Sequence, residues 1–116
     1  MKQEPVISSY SEGDAEIVSF HVDRINEYRL AERFNRELKN LVLEKEFDKL
    51  ILDCGNLDYV VSEVFTVLLQ VSNLIKSKNR TMYVCNLTPF LNDIYSTMRF
   101  EAVIPVCKTL EDALKV

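Results

Sequence analysis

Tryptophan is absent from this 116-residue chain, and only two glycines, three prolines and one histidine occur. So little glycine and proline argues against long flexible linkers. A phosphate-cradling loop needs closely spaced glycines so that backbone N–H groups can approach the phosphate. Gly13 and Gly55 stand far apart, so a nucleotide loop of that type is excluded. His21 is the only candidate base for a serine or cysteine nucleophile, and no partner on its strand face can be named for it. The three cysteines, Cys54, Cys85 and Cys107, are widely spaced and lack a C-x-x-C or histidine partner. They read as small buried hydrophobes rather than zinc ligands, and no cofactor is expected. Excess positive charge is also missing: the formal net charge is −4. That argues against general binding to nucleic acid or to an anionic membrane surface. No apolar run approaches the roughly 18 residues of a membrane span. The opening "MKQEPVISSYSEGD" lacks the apolar centre of a signal peptide, so a cytoplasmic protein is expected.

What is present is apolar residue at 47%, enough for one core, and residues 1–116 are expected to form a single domain. "PVISSY" and "AEIVSFHV", joined by "SEGD", read as a β-hairpin. In the second segment Ile17, Ser19 and His21 share one face, and Val18, Phe20 and Val22 the other. "YRLAERFNRELKNLVLEK" is an amphipathic helix with Leu30, Phe34, Leu38 and Leu41 as its stripe and Ala31 and Val42 at the flank. Glu32 and Arg36 stand at i,i+4 on its charged side. "KLILDC" suits a strand buried on both faces. A turn and a short extended piece, "GNLDYVV", lead to a helix from Ser62 to about Lys78, with Val64, Val67, Leu68, Val71, Leu74 and Ile75 facing the core.

"RTMYVCN" is a further strand. Thr88 followed by Pro89 marks the start of the next helix, whose core face is Leu91, Ile94, Tyr95 and Met98. "AVIPVC" is a last strand that Pro105 places at a sheet edge. A final short helix is capped by Thr109. The order β-β-α-β-α-β-α-β-α predicts an α/β fold: an N-terminal hairpin in a mostly parallel mixed sheet of about five strands, with four helices.

Two regulatory readings arise from the loops. Asp53 ends "LILD", where a response-regulator receiver has its phosphoacceptor, and Lys108 lies just past the last strand. A receiver also needs acids after its first strand to hold magnesium. Here that strand leads into a hairpin, so Asp53 reads better as an ordinary strand-end acid. The second reading concerns "LDYVVSEVF". Ser62 at a helix start can accept a bond from a first-turn N–H, which alone accounts for a serine there. A helix N-terminus also accommodates a phosphate.

From "KLILDC" onward the chain resembles the STAS domain of bacterial anti-sigma factor antagonists. The resemblance rests on "LILDCGNLDYVVSEVFTVLL", "TMYVCNLTPFLNDIYSTMRFEAVIPV" and "KTLEDALKV", and with the hairpin and first helix it covers nearly the whole chain. It implies a non-catalytic protein that binds an anti-sigma factor with a histidine-kinase-like ATPase fold. It places Ser62 on the serine that such a partner phosphorylates. Val61, Glu63 and Val64 depart from the Asp, Ser and Gly that flank that serine in the family. Asp58, Ser62, Glu63, Phe65, Thr66 and Leu69 are then the candidate partner-binding residues. Phe65 and Leu69 lie off the main stripe of their helix, either as a broadened core face or as an apolar patch for docking. A constitutive STAS scaffold in a larger assembly, such as a stress-signalling complex or a lipid-transport ATPase, is the alternative.

Overall fold

The computed structural model describes residues 4–116; residues 1–3 of the opening segment lie outside the described residues. The hairpin is formed by β1 (Ile7–Glu12) and β2 (Ala15–Phe20), paired antiparallel from Ile7↔Phe20 to Glu12↔Ala15. β1 runs further into "SEGD" than the residue types suggested, leaving a two-residue turn before β2 starts at Ala15 as expected. Gly13 takes it with φ of 59°, a conformation that glycine adopts without strain.

Helix α1 (Tyr28–Glu44) follows, then β4 (Lys49–Asp53), α2 (Glu63–Ser77), β6 (Thr81–Cys85), α3 (Pro89–Thr97), a 3₁₀ turn (Phe100–Ala102), β7 (Val106–Cys107) and α4 (Leu110–Lys115). The main sheet has the order β1-β2-β4-β6-β7, and every pair after the hairpin is parallel. The predicted architecture is therefore the observed one, with β7 at the edge. β3 (Arg24–Ile25) and β5 (Tyr59–Val60) pair parallel to each other as a separate ribbon. β5 is the short extended piece expected in "GNLDYVV"; β3 and the pairing of the two were not foreseen, since strands of two residues carry no readable alternation.

The sheet has a thick face and a thin one. On the thick face, Val18 and Phe20 of β2, Leu50 and Leu52 of β4, and Met82 and Val84 of β6 pack under α1, α2 and α3. On the thin face, Ala15, Ile17, Ile51 and Cys85 pack with Ala113, Leu110 and Leu114 of α4 and with Cys107 of β7. The buried line of α1 is Ala31, Phe34, Leu38 and Val42. The stripe is thus rotated from the predicted one, and Leu30 and Leu41 become its half-buried flanks. Both lines have helical spacing, and only docking on the sheet chooses between them. On α3, Leu91 and Tyr95 are buried but Met98 is 47% exposed. The helix ends at Thr97, and the chain turns away at Arg99 in the left-handed region (φ 54°). The Tyr95 hydroxyl donates to the Ile104 carbonyl (2.6 Å), tying α3 to the segment that leads into β7.

Candidate functional site

The ribbon of β3 and β5 lies at the same end of the molecule as the start of α2. The Asp58 N–H donates to Asp23 O (2.7 Å) and the Val61 N–H to Ile25 O (2.8 Å), which fixes the approach of the chain to Ser62. Ser62, Glu63, Thr66 and Leu69 are exposed, as is Asp58. Phe65 is not. It is buried, with its ring edge-on to Phe100 (5.4 Å between centroids) and tilted against Tyr95 (6.4 Å). Of the two off-stripe residues only Leu69 faces solvent, at 43% exposure. Phe65 widens the core face because α3 and the 3₁₀ turn flank that side of α2. Below it lies an apolar cavity of about 30 Å³, walled in part by Leu57, Val60 and Val64. A space with no polar wall stays dry.

The expected serine cap is not made. Ser62 has helical backbone angles (φ −58°, ψ −27°), and its side chain makes no capping bond. A capping side chain needs an extended backbone at its own residue to reach over the first turn. The first amides are instead satisfied by the backbone: Val64 N–H donates to Val61 O and Phe65 N–H to Ser62 O, both at 3.0 Å. The other two predicted caps do form, Thr88 accepting from Leu91 N–H (3.4 Å) and Thr109 from Asp112 N–H (3.1 Å). Ser62→Ala is therefore expected to change stability by less than about 0.5 kcal/mol, whereas Thr88→Ala costs about 1 kcal/mol. Urea unfolding of both variants checks this; a larger loss at position 62 than at 88 would restore the cap. The Ser62 hydroxyl is thus exposed and has no structural duty.

Beside it stands an aromatic platform that the sequence reading missed. The Tyr59 ring stacks on Phe90 of α3 (6.5 Å), and the Arg24 guanidinium sits over Tyr59 (5.4 Å). Phe90 is 54% exposed. These residues come from three separate elements, so no local spacing could have joined them.

Asp53 has an internal role. Its Oδ1 accepts from the Gly55 N–H (3.1 Å) and from Asn86 Nδ2 (3.0 Å), pinning the loops after β4 and β6 together. The strand before it in the sheet belongs to the hairpin, and among the described residues no three His, Cys, Asp or Glu side chains gather as a metal site. Cys54 and Cys85 are buried at the ends of β4 and β6, and Cys107 is half-buried at the end of β7. Burial pushes the Cys85 thiol up to about 12, with the Asp53 carboxylate adding to it. The His21 side chain is exposed, and its backbone N–H donates to the Val6 carbonyl (2.8 Å). No helix among the described residues is long and apolar enough to cross a membrane.

The fold is shared with proteins of known structure. A STAS domain protein from Planctomyces limnophilus superposes with a TM-score of 0.83 at 17% identity, over 94% of each chain. The Bacillus cell fate determinant SpoIIAA in its phosphorylated form gives 0.69 at 9% identity, over 94% of this chain and 96% of that one. In sequence, the anti-sigma factor antagonist BtrV of Bordetella bronchiseptica is 29% identical over 83 residues, covering 72% of this chain and 71% of its own. The STAS domain family model matches residues 13–113, and on that span the chain belongs to the STAS domain family.

Proposed function

We propose that this chain acts as an anti-sigma factor antagonist. It is a single STAS domain over residues 1–116, cytoplasmic and non-catalytic, that binds and sequesters an anti-sigma factor with a histidine-kinase-like ATPase fold. The observation that carries the reading is the exposed Ser62 hydroxyl at the start of α2, free of any capping bond. It is flanked by the exposed Asp58, Glu63, Thr66 and Leu69, the candidate contact residues. The name of the Bordetella relative and the phosphorylated state of SpoIIAA support it. A phosphate on Ser62 adds about −1.5 to −2 charges to a surface that already carries Asp58 and Glu63. Contact with the partner is then weakened by repulsion and bulk, and a phosphatase restores it.

One feature favours a second reading, a constitutive STAS scaffold: Val61, Glu63 and Val64 depart from the residues that flank the phosphorylated serine in the family. Affinity capture from the native lysate separates the two. The baits are wild type, Ser62→Ala and Ser62→Asp, with mass spectrometry of the eluates and of position 62. The switch requires an ATPase-fold partner on wild type and Ser62→Ala but not on Ser62→Asp, together with phosphorylated Ser62. The same partners on all three baits, with Ser62 never modified, would make the chain a constitutive module.

A further inference from the structure

Cys85 and Cys107 are in-register neighbours on β6 and β7, at the edge of the sheet. Such neighbours project to the same face, and both side chains pack in the thin-face cluster with Leu110 and Ala113. Both are free thiols, Cys85 with no exposed surface and Cys107 half-buried. Cys54 stands apart from this pair. Its N–H donates to the Cys85 carbonyl (3.0 Å), but its side chain packs in the core on the thick face. Adjacent strands lie about 4.7–4.9 Å apart, inside the Cα window of disulfides, about 4.4–6.8 Å. The Cβ atoms of a disulfide come to about 3.5–4.5 Å, so a small closure is needed. β7 can supply it, being two residues long, held by β6 on one side only, and following Pro105. Burial, then Asp53, then Cys107 raise the Cys85 thiol, so the Cys107 sulfur stands within electrostatic reach of it.

We propose that Cys85 and Cys107 are a redox pair that closes to a disulfide under hydrogen peroxide. Cys107, the half-buried member, meets the oxidant. Its thiolate attacks one peroxide oxygen, the O–O bond breaks, and the sulfur becomes a sulfenic acid with release of water. The Cys85 thiol then attacks that sulfur, and the displaced hydroxide takes the Cys85 proton as a second water. One S–S bond replaces two S–H bonds, and the two electrons lost by the sulfurs are those that the peroxide gains. Burial and then Asp112 raise the Cys107 thiol, with Lys49 opposing them. Thiolate is therefore scarce at neutral pH and the link forms slowly, so it answers sustained rather than brief oxidation. The link joins the end of β6 to the end of β7, and through Lys108 and Thr109 it ties the root of α4 to the middle of the sheet. In a reducing compartment such a bond is a transient signal rather than a fixed staple.

The test treats the whole folded chain with a small excess of hydrogen peroxide, blocks the remaining thiols with iodoacetamide in denaturant, and maps the peptides by mass spectrometry. One blocked thiol is expected in place of three, with the chain still a monomer on a non-reducing gel. Trypsin cuts at Arg99 between the two cysteines, so the link shows as "TMYVCNLTPFLNDIYSTMR" bound to "FEAVIPVCK", with Cys54 as the blocked thiol. Dithiothreitol is expected to reverse it. The oxidised chain is expected to melt about 5 °C or more above the reduced one, because the link constrains the unfolded chain. Cys107→Ser is expected to abolish the linked peptide and Cys54→Ala to leave it. Three blocked thiols, sulfinic or sulfonic acid at Cys107 without the link, a link to Cys54, a disulfide only between copies, or an oxidised chain that melts no higher each overturn the proposal. The mapping is read on the wild-type chain, so it does not rest on a variant folding. Ser62 takes no part in it, so failure of the redox pair and failure of the phosphorylation switch are separate outcomes.

Discussion

Phe34→Ala is expected to destabilise the fold by about 3–5 kcal/mol, the range for emptying a large buried aromatic site. Phe34 has no exposed surface and sits at the middle of the α1 contact line, its ring tilted at 37° against Phe20 of β2 (5.4 Å between centroids). Truncation removes the transfer energy of the ring and leaves a void. It also forfeits the aromatic pair, worth about 0.5–1.5 kcal/mol beyond area. The void opens beside the existing cavity, which Phe34 and Phe20 already line, so the two spaces merge rather than collapse. Phe34→Leu keeps most of the volume and is expected to cost well under half as much. Urea unfolding with an unchanged m-value is the check. A loss below about 1.5 kcal/mol for the alanine variant would mean that α1 settles onto the sheet and that the contact line is soft.

Glu16→Gln is the second large effect, about 1.5–3 kcal/mol at neutral pH, the worth of hydrogen bonds to a charged group. Glu16 lies on β2 facing α1 and is buried although charged. Burial alone would push its pKa up. The hydroxyls of Ser11 and Ser9 and the ammonium of Lys45 outweigh that, and the net direction is down. Ser11 Oγ donates at 2.6 Å and Lys45 Nζ at 3.0 Å. A carboxyl whose folded pKa is depressed binds fewer protons folded than unfolded. Its stabilisation is therefore fully present above the ordinary carboxylate value of about 4.3 and is lost as pH falls through the lower, folded value. The gap between wild type and Glu16→Gln should hold from pH 7 to about 5 and narrow in more acid solution. Melting curves across that range decide it, and a gap that widens in acid would contradict the ion pair.

The elements that were legible in the sequence are those whose signals are local. Thr88 before Pro89 and Thr109 before two acids marked helix starts that exist, because a cap depends on a few adjacent residues. The alternation in "AEIVSF" sorted Ile17 from Val18 and Phe20 onto the two correct faces. Ser62 misled for the same reason Thr88 did not. Residue type and position were right for a cap, but the ribbon of β3 and β5 delivers the chain to α2 already helical at Ser62. That constraint comes from Asp23 and Ile25, far away in sequence. The rotation of the α1 stripe and the burial of Phe65 were set by which neighbour each helix meets.

The thin face of the sheet has its own consequence. Among the described residues the helix that covers it is six residues long, and Lys49 holds that helix from within the sheet, donating from Nζ to the Ala113 carbonyl (3.0 Å) and to that of Val116. So small a lid opens by itself far more often than the whole molecule unfolds. Each opening bares Cys85, whose thiol is otherwise sealed and held neutral by burial. In kinetic terms Cys85 is a timekeeper for α4: a solvent-borne electrophile can meet it only during the moments when the helix is away.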